Sequence, residues 1–135
     1  MSLIVLIGRI LFCVLFLTSA IGHLTQTAAM AGYAGSKRVP QPKILVIVTG
    51  IMLAFGGLSI LLGIWADLGA LVLAAFLLPT AVIMHGFWRD TGEARMMEQV
   101  QFNKDLALGG ASLMLFAFFR EVGDGLGYTI TGPLF

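Results

Sequence analysis

Residues Ile44–Ala66, ILVIVTGIMLAFGGLSILLGIWA, run for 23 positions without Asp, Glu, Lys or Arg. Asp67 interrupts, and Leu68–Trp88, LGALVLAAFLLPTAVIMHGFW, gives 21 more. A span needs roughly 20 mostly apolar residues to cross a hydrocarbon core about 30 Å thick. Each stretch is long enough alone, and the single acidic residue between them forces a tight antiparallel hairpin. Two more apolar stretches flank the pair, Leu3–Leu24 and Phe102–Phe119. The fold class that follows is all-α, an integral membrane antiparallel four-helix bundle.

Composition supports the same class. Of 135 residues, 59% are hydrophobic and 11% charged, against about 25% charged in soluble domains. That leaves one domain, 1–135, and no room for a soluble catalytic domain. Net charge is +1, which points to neither nucleic acid nor an acidic partner. The lone Cys13 excludes an internal disulfide and any CxxC redox or metal motif. No nucleotide-binding glycine motif, serine elbow or HExxH occurs. The first stretch lacks a basic region ahead of its apolar run, and Arg9 lies inside it. It is therefore read as a retained helix, not a secretory signal.

The expected helices are 3–24, 44–65, 68–87 and 102–119. Segment 25–43 reads as a loop with Pro40 and Pro42, and Pro79 is a candidate kink. Segment 88–101 reads as a charged loop or short interfacial helix, with Met96 and Met97 as its apolar face. Four crossings put loops 25–43 and 88–101 on one side, with both termini and the 66–67 turn on the other. Basic residues, not net charge, set orientation. The loop side carries Lys37, Arg38, Lys43, Arg89, Arg95 and Lys104; the terminal side has Arg9 and Arg120. The expected location is a bacterial cytoplasmic membrane, with the two loops in the cytoplasm and the termini outside.

Small residues set the expected packing. Gly50, Ala54, Gly56, Gly57 and Gly63, with Gly69, Ala70 and Ala74, allow close backbone approach, which drives helix association in lipid. Internal packing is the first reading of these faces, and contact with another subunit the second. Arg9 is costly within a span. It is read first as a structural ion pair with Asp67 or Glu121, and second as a contact for an anion, lipid or quinone headgroup. His23 closes the first helix and His85 the third, so both belong at the loop end. With Trp88 and Asp105 they form an expected polar cluster, either a network tethering helix ends or a site for a redox-active headgroup. Arg9, Cys13 and His23 share one helix face, expected to look into the bundle.

Four stretches in order resemble the DoxX family of small bacterial membrane proteins. Gly8-Arg9 through Gly22-His23-Leu24 resembles its first helix, and Gly32-Tyr33-Ala34-Gly35-Ser36-Lys37-Arg38-Val39-Pro40 its first loop. Gly56-Gly57-Leu58-Ser59-Ile60-Leu61-Leu62-Gly63 resembles its second helix. His85-Gly86-Phe87-Trp88 and Phe102-Asn103-Lys104-Asp105-Leu106-Ala107-Leu108-Gly109-Gly110 resemble the borders of its third loop. The family pattern has Lys-Asn where this chain has Lys104-Asp105, which adds a negative charge beside the histidines. The resemblance implies a four-helix bundle. It also implies association with quinol oxidases, thiosulfate:quinone oxidoreductases and oxidative-stress complexes, often as an accessory subunit.

Two functions follow as expectations. The first is a non-catalytic accessory or stability subunit of a membrane oxidoreductase or respiratory complex. Its partners are membrane lipids and other membrane subunits, and a partner holds down the Gly-rich tail after Arg120. The second is a quinone-binding redox subunit using Arg9, His23, His85 and Asp105. It requires an opening that reaches both histidines. A small transporter is a third, weaker reading. No catalytic residue, metal site or cofactor is assigned; a bound quinone or lipid is the alternative that the second reading brings.

Overall fold

The computed structural model describes residues 1–135. It is all-helical: α1 Ser2–Thr25, α2 Thr27–Ser36, α3 Pro42–Leu62, α4 Ala66–Met84 and α5 Gly92–Val122, with short 3-10 turns at Phe87–Arg89 and Gly123–Gly125. Four of these, α1, α3, α4 and α5, are long and apolar enough to cross a membrane. They pack in chain order, α1 on α3, α3 on α4 and α4 on α5, while α2 lies against α3. Large side chains such as Leu11, Ile51, Val82 and Met114 face outward, as a lipid solvent requires.

The α3–α4 hairpin turns earlier than the hydropathy suggests. α3 ends at Leu62 because Gly63 adopts φ +65, the left-handed conformation that stops a helix. Trp65, at φ +46, starts α4. Ser59 Oγ donates to Ile64 O at 2.6 Å and to Trp65 O at 2.9 Å, satisfying turn carbonyls in place of water. The link is thus Gly63–Trp65, not Ala66–Asp67. Pro79 lies inside α4 without ending it.

Two expected loops are helical. Segment 25–43 contains α2, ten residues of mainly Ala and Gly. Segment 88–101 is largely the first third of α5, which starts at Gly92, ten residues before the expected position. At 1.5 Å per residue α5 is about 46 Å long. Its charged N-terminal part reads as loop by hydropathy, but charge alone does not end a helix in water.

Glycines let the central helices approach. A Cβ on Gly56 would stand 2.6 Å from Leu73 Cγ and 3.0 Å from Gly69 O. One on Gly57 would meet Leu17 at 2.9 Å, and one on Gly50 would meet His23 Cβ at 2.8 Å. These faces are occupied within the chain itself. The buried core runs across all four spans through Phe16, Leu53, Ile60, Leu73, Leu77 and Phe119.

The tail after α5 is held by its own chain. Ile130 N donates to Gly63 O at 3.0 Å and Thr131 N to the same oxygen at 2.9 Å. Thr131 Oγ1 accepts from Trp65 N at 2.9 Å. Asp67 accepts Leu134 N at 2.8 Å and Phe135 N at 3.0 Å on its two carboxylate oxygens. A partner is not needed to order this segment, contrary to the expectation from its composition.

Candidate functional site

The structure separates the four candidate residues into two places. Arg9 sits at the terminal end, 2% exposed. Its Nε donates to Ile60 O at 2.7 Å, Nη2 to Leu61 O at 2.7 Å and Nη1 to Tyr128 O at 2.8 Å. The expected ion pair with Asp67 or Glu121 does not form. Asp67 is spent on the tail amides, and Glu121 is exposed. Instead the guanidinium covers the last carbonyls of α3, the negative end of that helix, and ties down the tail. All three of its nitrogens are engaged by backbone.

His23, His85 and Asp105 come together at the loop end, around a cavity of about 500 Å³. α1, α3 and α4 form its walls, α2 covers it, and Lys104 and Asp105 of α5 close one side. Most of the lining is apolar, from Phe16, Leu53, Phe76 and Leu77 to Met52 and Met84. Exposed Tyr33, Leu45 and Ile83 also line it, so the cavity opens at the surface.

Both imidazoles are anchored through Nδ1. His23 Nδ1 lies 3.0 Å from Thr49 Oγ1 and 3.2 Å from Val46 O. Thr49 gives its own hydrogen to Leu45 O at 2.7 Å, so both neighbours of Nδ1 act as acceptors. His85 Nδ1 lies 2.7 Å from Glu98 Oε2, and an ionised carboxylate only accepts. These bonds assign the proton to Nδ1 in both rings. In the neutral form Nε2 is then the accepting nitrogen. The Nε2 of His85 lies 3.7 Å from Asp105 Oδ2, and Asp105 Oδ1 lies 3.7 Å from Lys104 Nζ.

Glu98 is the residue that sequence reading missed. Besides His85 it accepts Lys37 Nζ at 2.9 Å and Tyr33 Oη at 3.1 Å. Its bond to Lys37 holds that ammonium above the ordinary value of 10.5. Burial, then the charge of Glu98, pushes the Tyr33 phenol up. A signal was present: Glu98, Asp105 and Ser112 recur every seven residues, about every second turn on one face of a helix. It becomes visible only once α5 is known to start before residue 98.

Trp88 does not join the cluster. It is 51% exposed and stacks edge-on against Phe87 and Phe102, with Arg89 over its ring, as an interfacial anchor does. Cys13, fully buried in α1 beside Phe16, takes no part. His, Cys, Asp and Glu side chains form no group of three placed to hold a metal ion.

A family model described as DoxX matches residues 4–86. Among curated proteins, the chain is 28% identical over 112 residues to "Inner membrane protein YphA" of Escherichia coli (strain K12), covering 83% of this chain and 80% of that protein. It is 34% identical over 112 residues to "Inner membrane protein YqjF" of the same organism, covering 82% and 80%. No solved structure matches the chain.

Proposed function

The chain belongs to the DoxX family of membrane proteins, and from that premise we propose that it is a quinone-binding subunit of a membrane oxidoreductase. The headgroup is held at the His23–His85–Asp105 end of the cavity and the isoprenoid chain lies along the apolar walls. One observation carries this reading: a cavity of about 500 Å³ has both histidines and Asp105 on its lining among apolar residues. Pockets for small molecules run to roughly 300–1,000 Å³, apolar with a few placed polar groups. A quinone is that kind of molecule, an apolar body with two oxygens at one end. A quinol hydroxyl donates to Nε2, which the Nδ1 anchors leave as the accepting nitrogen, and at His85 Asp105 Oδ2 stands 3.7 Å away as a second acceptor for it.

The accessory role is part of the same reading, since electrons pass to or from a neighbouring subunit. The inner-membrane names of the relatives support the compartment. Two earlier supports for a purely structural accessory subunit are gone, because the glycine faces and the tail are satisfied internally. Arg9, engaged by backbone at the other end, has no role in holding the headgroup.

The test is binding of decyl-ubiquinol, held reduced under anaerobic conditions, to the protein in nanodiscs, with empty nanodiscs as the partition control. The expected result is saturable binding. His23→Leu and His85→Leu each weaken it about tenfold, the worth of one hydrogen bond of roughly 1.4 kcal/mol. Glu121→Gln, exposed at the opposite end, leaves it unchanged. Uptake no greater than in empty nanodiscs would end the proposal.

A further inference from the structure

One carboxylate stands where three elements meet. Glu98 of α5 takes Tyr33 Oη and Lys37 Nζ on Oε1, at 3.1 and 2.9 Å, and His85 Nδ1 on Oε2 at 2.7 Å. Tyr33 belongs to α2, and Lys37 follows its last residue. Met30, Tyr33 and Ala34 make α2 the cover of the cavity, and His85 lines the cavity from the end of α4. The same side chain thus fastens the cover and orients the wall. The other polar tie from this region, Lys37 to Asp90, is longer at 4.0 Å.

We infer that Glu98 is the positioning residue of the cavity: it fixes the tautomer in which His85 meets a bound headgroup and, through its other oxygen, latches α2 over that headgroup. The part concerning the headgroup rests on the quinone reading; the tautomer and the latch belong to the empty protein. A carboxylate accepts on both sides at once, which three donors from two directions require. An amide in its place has one accepting side and one donating side. With its oxygen kept by Lys37 and Tyr33, its NH2 faces His85 Nδ1. That nitrogen then has to be the bare one, and the proton moves to Nε2. Glu98→Gln therefore inverts the imidazole while preserving shape. The acceptor offered to a quinol hydroxyl is lost with it, as a wrongly oriented tautomer disables an otherwise intact imidazole.

The experiment reads both oxygens separately. Full-length protein carrying 15N-labelled histidine is placed in nanodiscs without ligand. The ring nitrogens of its two histidines are assigned with His85→Asn. Hydrogen exchange is followed over residues 27–36. Wild type is expected to show His85 protonated on Nδ1. Glu98→Gln is expected to show it on Nε2, with exchange across α2 faster by about threefold to tenfold, since the oxygen kept by Lys37 and Tyr33 no longer carries charge. Glu98→Asp, which keeps the charge, restores the Nδ1 tautomer. Tyr33→Phe combined with Lys37→Met speeds exchange of α2 but leaves the tautomer alone. Decyl-ubiquinol affinity then falls about tenfold in Glu98→Gln. An unchanged tautomer or unchanged α2 exchange in Glu98→Gln overturns the inference, as does undiminished affinity. If wild type binds no quinone, the functional reading fails while the ligand-free measurements still decide the role of Glu98. Should Glu98→Gln not fold, the wild-type tautomer and the double variant decide: His85 protonated on Nε2 in wild type, or unchanged α2 exchange in the double variant, overturns the inference.

Discussion

The guanidinium of Arg9 ends α3 and anchors the tail in one arrangement. Three backbone carbonyls surround it, from Ile60, Leu61 and Tyr128, and a carbonyl left bare in this setting has no water to turn to. Arg9→Met strands all three, and about 3 kcal/mol of stability goes with them. Thermal unfolding in detergent should show the loss. Arg9→Lys recovers only part, since an ammonium lacks the fork that spans separated acceptors. The sequence displays Arg9 plainly but not its partners. Reading charges against charges pointed to Asp67 and Glu121, whereas the acceptors are main-chain groups exposed by the left-handed stop at Gly63. Glu98 is hidden for a similar reason, as one charge among many in a segment that reads as a charged loop or short interfacial helix. Its bonds to Lys37 and Tyr33 predict an alkaline effect. Both groups keep their protons longer in the folded state, so their stabilisation is complete below about pH 10 and lost as pH climbs through the raised values. The unfolding midpoint should fall above that pH. The fall should be smaller in Tyr33→Phe combined with Lys37→Met.

Among the elements, α3 and α4 depend on missing side chains. Gly56 and Gly69 lie face to face, and a Cβ on Gly69 would stand 2.6 Å from Ser59 Cβ. Gly69→Ala therefore pushes the helices apart and disturbs the Ser59 bonds that finish the turn, costing about 1–3 kcal/mol as overpacking does. Gly110 on α5 has nothing within 4 Å of its added Cβ. Gly110→Ala should be neutral or stabilising by up to about 1 kcal/mol through helix propensity. Thermal shifts of the two variants, measured side by side, check the contrast. Hydropathy made the spans legible because apolar length is what a membrane selects. It blurred α2 and the start of α5, whose residues are weakly apolar or charged and whose helicity comes from covering the cavity and meeting α4. The small-residue faces were legible as packing surfaces. Which helix each one meets depends on the Gly63 turn and the order of packing, which composition does not encode.

At the scale of the molecule the two ends differ in kind. The terminal end is sealed: the tail folds over the α3–α4 turn, with Arg9 and Asp67 holding it from inside. The loop end carries the cavity, the Glu98 junction and six of the eight basic side chains. On the proposed function, a headgroup bound there would exchange protons with the side of the membrane that the loops face, so orientation would decide which compartment the chemistry is linked to. The positive-inside rule leads to the expectation that the loops lie in the cytoplasm. Single cysteines in a Cys13→Ser background test this with a membrane-impermeant maleimide on intact cells. Asp124→Cys, at the terminal end, should label from outside. Arg95→Cys, exposed near the start of α5, should label only after permeabilisation. The reverse pattern would place the cavity on the outer face, so that any proton exchange of the proposed headgroup would be with that side, while leaving the cavity and its residues as they stand.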